Sequence, residues 1–254
     1  MHKTLGTLFL LGIVAYAAAC LALFLLQRSL IYFPPTQALV QAPHVSTMTV
    51  PGAVVNISER PRAGNKALIY LGGNAEDVSM SLPELDAAFP DHALYLLHYR
   101  GYGGSTGKPS EPALVADALQ LFDRVAASHA EVVLIGRSLG SSIALQVASR
   151  RPVHKLVLVT PFDGLAALAA RQFPFFPVRL LLRDQYDTVR HAPLVKAPTL
   201  LLAAGQDEII PAQSTARLLS RFAPGVATRK VIEGAGHNSI SDSAAYVQAL
   251  RWAR

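Results

Sequence analysis

The chain has 254 residues, 51% of them hydrophobic and 16% charged, which is too apolar for a disordered protein and long enough for one α/β domain or two small ones. A net charge of +6 and a pI near 9.6 raise the question of nucleic acid, but the 23 Lys and Arg are scattered, the densest groupings being pairs such as Arg150-Arg151 and Arg229-Lys230. Pairs of that kind read as solvated surface rather than a nucleic-acid footprint, and the single cysteine, Cys20, rules out an intrachain disulfide.

Residues 5–26, LGTLFLLGIVAYAAACLALFLL, run for 22 positions without a charge. As a helix they extend about 33 Å, enough for the ~30 Å hydrocarbon layer of a bilayer. Ala17-Ala18-Ala19 before Cys20 resembles the cleavage site of a secretory or lipoprotein signal, yet apolar residues continue for six positions beyond Cys20, where a mature terminus turns polar. The expectation is an uncleaved single-pass anchor over residues 1–28, in the bilayer through 5–26, with a linker over 29–44. Lys3 and the α-amino group favour a cytoplasmic N-terminus and an extracytoplasmic domain, with Arg28 opposing.

From residue 45 short apolar runs alternate with helical patterns. Residues 48–57 (MTVPGAVVNI) read as a hairpin turning at Pro51-Gly52. KALIYL (66–71) is a buried strand ending at Gly72-Gly73, residues 77–89 a helix with Pro83 near its start, and HALYLLHY (92–99) a strand. Over 111–127, Leu114, Ala118, Leu121, Phe122 and Val125 recur at helical spacing. VVLIG (132–136) is a strand, followed by a helix over 141–150 and the strand KLVLVT (155–160). Then come the strand TLLLAAG (199–205), a helix over 216–222, the strand TRKVIE (228–233) and a helix over 244–252. Continuous Leu/Val/Ile strands separated by amphipathic helices predict a mostly parallel sheet covered on both faces. In such sheets ligands bind beyond the carboxyl ends of the strands.

Beyond those ends lie the residues that carry chemistry. Gly136-Arg137-Ser138-Leu139-Gly140 between a strand and a helix has the pattern and context of a nucleophile elbow; the alternative is a glycine-rich turn with a capping serine. A serine hydroxyl needs a base. His237, in the glycine-rich loop after the last strand, is the candidate. His98 reads as a structural hydrogen-bonding residue, and His2, His44, His92, His129, His154 and His191 as surface positions. The base needs an acid to orient it. Asp207 after TLLLAAG gives the order Ser…Asp…His; Glu208 beside it should point elsewhere, and Asp163 after KLVLVT is the rival. The developing oxyanion needs N–H donors: the backbone of Leu139, and of Asn74 in the loop Gly72-Gly73-Asn74-Ala75-Glu76, unless that loop is a plain turn.

With those residues in place the chain resembles an α/β-hydrolase over nearly all of 45–254, and more narrowly the membrane-anchored Bem46-like group with its ABHD13 and ABHD17 relatives. The stretches that carry the resemblance are Gln27-Arg28-Ser29-Leu30-Ile31-Tyr32-Phe33-Pro34, residues 72–76, Tyr99-Arg100-Gly101-Tyr102-Gly103-Gly104-Ser105-Thr106-Gly107, and the elbow with Asp207 and His237. The family commonly has His-Gly-Asn where this chain has Gly72-Gly73-Asn74. The resemblance implies an α/β-hydrolase fold with a short cap at about 163–198, whose aromatic and Leu cluster (172–182) either lines an acyl pocket, dips into lipid or packs on the sheet. It also implies hydrolysis of small or lipid-like esters or thioesters through an acyl-enzyme on Ser138, with no metal or organic cofactor called for. A serine peptidase on the same triad and a non-catalytic membrane-tethered binding protein are the alternatives.

Overall fold

The computed structural model describes residues 2–35 and 44–254. Half of the linker expected over 29–44, namely 36–43, lies outside the described residues. Helix α1 (His2–Ile31) continues three residues beyond the expected end of the anchor at 28. Its apolar window has none of its residues buried in the protein, and only Ala19, Cys20, Leu23, Phe24, Gln27 and Ile31 are partly or fully covered, by contacts near its C-terminal half. A core helix would be buried on at least one face; this one is a candidate membrane span.

The remaining residues build one eight-stranded sheet, ordered β1-β2-β4-β3-β5-β6-β7-β8. The expected hairpin is present, β1 (His44–Val50) and β2 (Ala53–Arg60) pairing antiparallel across Pro51-Gly52. β2 is antiparallel to β4 (Ala93–Leu97), and from there the sheet is parallel through β3 (Lys66–Leu71), β5 (Glu131–Arg137), β6 (Lys155–Val159), β7 (Thr199–Ala204) and β8 (Ala227–Ile232). Both faces are covered, which is why the strands read as unbroken apolar runs. Alternate residues serve opposite cores: Ile69 and Leu71 of β3 join the face under α3 (Glu111–Ala126) and α4 (Leu139–Ala148), while Leu68 and Tyr70 join the face under α2 (Leu82–Ala88) and α9 (Ala244–Leu250). Fully burying each such side chain is worth about 1.5–3 kcal/mol.

Three element boundaries differ from expectation for local reasons. The helix expected over 77–89 is a 3₁₀ turn (Val78–Ser81) followed by α2, with Pro83 in the first turn of α2 where its missing N–H is harmless. The helix expected over 216–222 is α8 (Ala212–Leu219), starting directly after Pro211. The last helix ends at Leu250 and tightens to a 3₁₀ turn over Arg251–Ala253. Between β6 and β7 the chain forms α5 (Leu165–Gln172), α6 (Val178–Leu181) and α7 (Thr188–His191), all within the stretch expected as a cap.

Candidate active site

Every loop singled out from the sequence leaves the carboxyl end of a parallel strand. At the end of β5, Ser138 has φ 48° and ψ −114°, a conformation that costs a non-glycine residue about 1–3 kcal/mol. The surrounding bonds hold it there: Ser138 N–H donates to the Val159 carbonyl at 2.9 Å, and its own carbonyl accepts from Ser141 Oγ at 2.6 Å. The two glycines serve different close approaches. A Cβ on Gly136 would strike the Gly140 carbonyl and Ala144 on α4, whereas a Cβ on Gly140 would strike the carbonyl oxygens of Leu71 and Gly72 at the end of β3.

The three side chains separated by the sequence meet here. His237 Nε2 is 2.9 Å from Ser138 Oγ, and its Nδ1 is 3.0 Å from each carboxylate oxygen of Asp207. The His237 side chain is 5% exposed, so water competes little with its two polar partners. Asp207 Oδ1 also accepts the backbone N–H groups of Ile209 and Ile210 at 3.0 and 2.7 Å, which fixes the carboxylate. Asp163 is occupied elsewhere: it accepts Ser214 Oγ at 2.5 Å and pairs with Arg217 at 3.0 Å. Glu208 makes no hydrogen bond to the ring, whose partners are Asp207 and Ser138, but it has a use the sequence did not suggest. Its Oε2 accepts the His237 backbone N–H at 3.0 Å and so pins the loop that carries His237.

The loop after β3 is organised by Glu76. Its carboxylate accepts Tyr70 Oη at 2.7 Å, Ser81 Oγ at 2.8 Å and the Gly73 N–H at 2.6 Å. Gly73 N–H is thereby spent, while Asn74 N–H and Leu139 N–H have no acceptor among the described residues. Those are the two donors expected to hold an oxyanion. The histidine that the resemblance leads one to expect at 72 has no room, because a Cβ there would collide with Val78. Arg137, between Gly136 and Ser138, bonds the Asn238 carbonyl at 3.0 Å and stands 3.9 Å from Glu76, joining the loop of His237 to the loop after β3.

Residues 71–190 match the family described as the alpha/beta hydrolase family. The uncharacterised protein Rv2307c of Mycobacterium tuberculosis is 34% identical over 272 residues, covering 98% of this chain and 95% of that one. The chain belongs to the α/β-hydrolase family. Protein bem46 of Schizosaccharomyces pombe is 28% identical over 167 residues, covering 61% of this hydrolase-family chain and 55% of its own, consistent with the Bem46-like branch. Among solved structures, mouse alpha/beta hydrolase domain-containing protein 10 shares the fold at a TM-score of 0.67 and 19% identity, over 82% of this chain and 96% of that one.

The stretch 27–34 has a structural role in this α/β-hydrolase. Gln27, the one fully buried residue of α1 at 6% exposed, donates to the Leu181 carbonyl at 3.1 Å and accepts the Arg183 N–H at 2.6 Å. Arg28 and Tyr32 both reach the buried carboxylate of Asp184, at 3.1 and 3.0 Å, and Tyr32 Oη is 2.7 Å from Tyr186 Oη. Asn74 finishes the clasp: its side chain donates to the Ile31 carbonyl at 2.7 Å and accepts the Phe33 N–H at 3.1 Å. The end of α1 is therefore tied to both the cap and the loop after β3. Asp184 and Tyr186 were not visible from the sequence, because nothing local marks a carboxylate whose partners lie more than 150 positions away.

A cavity of about 650 Å³ opens over Ser138 and His237. Its walls come from the cap (Leu165, Leu168, Phe173, Phe176, Val178), from the loop after β7 (Ile209, Ile210) and from α1 (Leu23, Leu30, Ile31). The lining is mostly apolar, with Gln27, Asn74, Ser138, Gln172, His237 and Asn238 as its polar members, the usual composition of a small-molecule site.

The motif at 99–107 is held by Arg100, whose guanidinium forms a double bond pair with Asp117 on α3, both 2.7 Å. His98 beside it is structural, as expected, with Nε2 2.7 Å from Ser58 Oγ. Two histidines expected at the surface are buried instead. His92 packs edge-on against Phe89, and His129 against Tyr95 while bonding the Val125 carbonyl at 3.1 Å; an imidazole offers an apolar body to such neighbours. Burial lowers the pKa of both His92 and His98 to about 4. Unfolding restores values near 6.5, so the unfolded chain binds more protons between those limits. Stability is fully present above about pH 6.5 and declines as pH falls toward 4. Urea midpoints measured across this window should fall more gently for His98→Asn than for the unaltered chain; parallel slopes would remove His98 from the account.

Proposed function

We propose that this protein is a membrane-anchored serine hydrolase that cleaves carboxylic esters or thioesters through an acyl-enzyme on Ser138. The observation that carries the reading is the unbroken relay from Ser138 Oγ to His237 Nε2, at 2.9 Å, and from His237 Nδ1 to Asp207, at 3.0 Å. Ser138 Oγ attacks the acyl carbon while its proton passes to His237 Nε2. The carbonyl oxygen becomes an oxyanion facing the N–H groups of Asn74 and Leu139, each such donor worth about 2.7–4 kcal/mol in the transition state. His237 returns the proton to the departing alcohol or thiol. Water then gives its proton to His237 and attacks the acyl-enzyme, and the acid leaves as Oγ recovers a proton. Asp207 holds the ring in the tautomer this sequence needs and stabilises its cation.

The apolar cavity favours an acyl group over a peptide, and no residue is asked to bind a metal or an organic cofactor. Helix α1 serves as the single-pass anchor, with Lys3 favouring an N-terminal end in the cytoplasm and the domain outside. Residues 1–28, 29–44 and 45–254 then act as anchor, connection and hydrolase domain. Retention of the segment is favoured because Tyr16, Phe24, Gln27 and Arg28 all contact the cap. A fluorophosphonate probe should label the full chain and leave Ser138→Ala and His237→Ala unlabelled, with His237→Ala losing several orders of magnitude in ester turnover at little change in stability. A folded wild type that takes no label would end the catalytic reading.

A further inference from the structure

The contact between α1 and the cap does not stop where the apolar run ends. Tyr16 donates its hydroxyl proton to the Phe175 carbonyl oxygen at 2.8 Å, and its ring stacks on Phe176 with centroids 5.8 Å apart. Tyr16 precedes Leu26 by ten residues, about 15 Å along a helix and half of the ~30 Å hydrocarbon layer. A helix that spans the bilayer therefore carries residues 173–176 of the cap below the headgroups with it. A phenol at that depth needs an acceptor, and the cap carbonyl is the one it has.

The surface of the cap fits the same placement. Phe175 and Leu180 are each 85% exposed, contacts that water disfavours and acyl chains accept. Arg171, Arg179 and Arg183 are exposed on the same segment, with the Arg183 guanidinium 4.0 Å from the Phe24 ring; side chains of this length reach back to the headgroups from a buried stem. The cavity rim consists of Leu30, Phe33, Phe173 and Ile209, all about half exposed. The mouth of the site thus lies between the anchor and the part of the cap that follows it into lipid.

We propose that helix α1 is a wall of the acyl site rather than a tether alone, and that the cavity opens sideways into the bilayer. The substrate is then an acyl chain already dissolved in the membrane, joined through an ester or thioester to a group at the interface. The chain slides between α1 and the cap until its carbonyl meets Ser138, without crossing water. The chemistry rests on the hydrolase reading above, and the insertion of the cap on the anchor reading alone.

The test uses the full-length protein in phosphatidylcholine vesicles. Phe175 and Leu180 face neither the cavity nor the triad, so Phe175→Glu and Leu180→Glu should leave hydrolysis of aqueous p-nitrophenyl acetate within about twofold. Hydrolysis of vesicle-embedded monooleoylglycerol or of an S-oleoylated peptide should fall at least about tenfold, equivalent to about 1.4 kcal/mol; whichever of the two is turned over identifies the source of the chain. Unchanged rates on both embedded substrates, equal losses on embedded and aqueous substrates, or turnover of the aqueous ester alone by the unaltered enzyme would overturn the proposal. Phe175→Trp in a Trp252→Phe chain gives a second reading independent of activity. Its fluorescence should be quenched by lipids brominated on the acyl chain and not by aqueous iodide, and the reverse pattern would overturn the insertion. Hydrolysis that survives Ser138→Ala would sink the catalytic reading and leave the quenching to judge the cap.

Discussion

Asp207→Asn should lower ester turnover by about 10⁴-fold while the protein unfolds at nearly its original temperature. The amide cannot accept the Nδ1 proton as a carboxylate does, so the ring is held in the wrong tautomer and its cation loses its partner. Asp163→Asn should do the opposite. That carboxylate is 5% exposed and bonds Ser214 and Arg217, not the imidazole, so its loss should cost about 1–3 kcal/mol of stability, with turnover at permissive temperature close to normal. Turnover of a p-nitrophenyl ester and thermal melts on the two variants are sufficient measurements. If Asp163→Asn is the inactive one, the assignment of the acid is wrong.

Gly140→Ala should be among the most damaging single substitutions in the domain, although alanine is the better helix former by about 1 kcal/mol. The added carbon would meet two backbone carbonyls, of Leu71 and Gly72, and backbone in a central strand has little freedom to retreat. Overpacking of this kind costs about 3 kcal/mol, which in a chain of this size lowers Tm by roughly 6–12 °C. Gly72 leads into the oxyanion loop, so activity should fall as well. Gly12→Ala in α1 is the matched control: its Cβ would have nothing within 4 Å, and that variant should melt with the unaltered protein. Equal melting of Gly140→Ala and Gly12→Ala would show that α4 and β3 do not pack as described.

Much of this follows from patterns short enough to read along the chain. Strands such as KALIYL and VVLIG are apolar throughout because both faces of a parallel sheet are buried, and that alone distinguishes them from surface strands. The elbow is legible because a nucleophile between strand and helix requires small residues on either side at fixed offsets. The charge-free run at 5–26 is legible because its length matches a bilayer, and α1 carries it with none of its apolar window buried. The boundaries that moved, at α2 and α8, moved to prolines whose effect on a helix depends on which turn they occupy.

What the sequence by itself determined are features set by spacing within some twenty residues: the α/β pattern, the elbow and the apolar helix. Tertiary structure alone decided the rest, because it concerns groups that the chain brings together from far apart. Asp207 rather than Asp163 faces His237, Glu208 and Glu76 pin the loops, His92 and His129 are buried, and Gln27, Arg28 and Tyr32 fasten α1 to Asp184 and Asn74. The physical reason is the short range of hydrogen bonds and ion pairs: they act over about 3 Å, and only the folded backbone says which distant residues come that close.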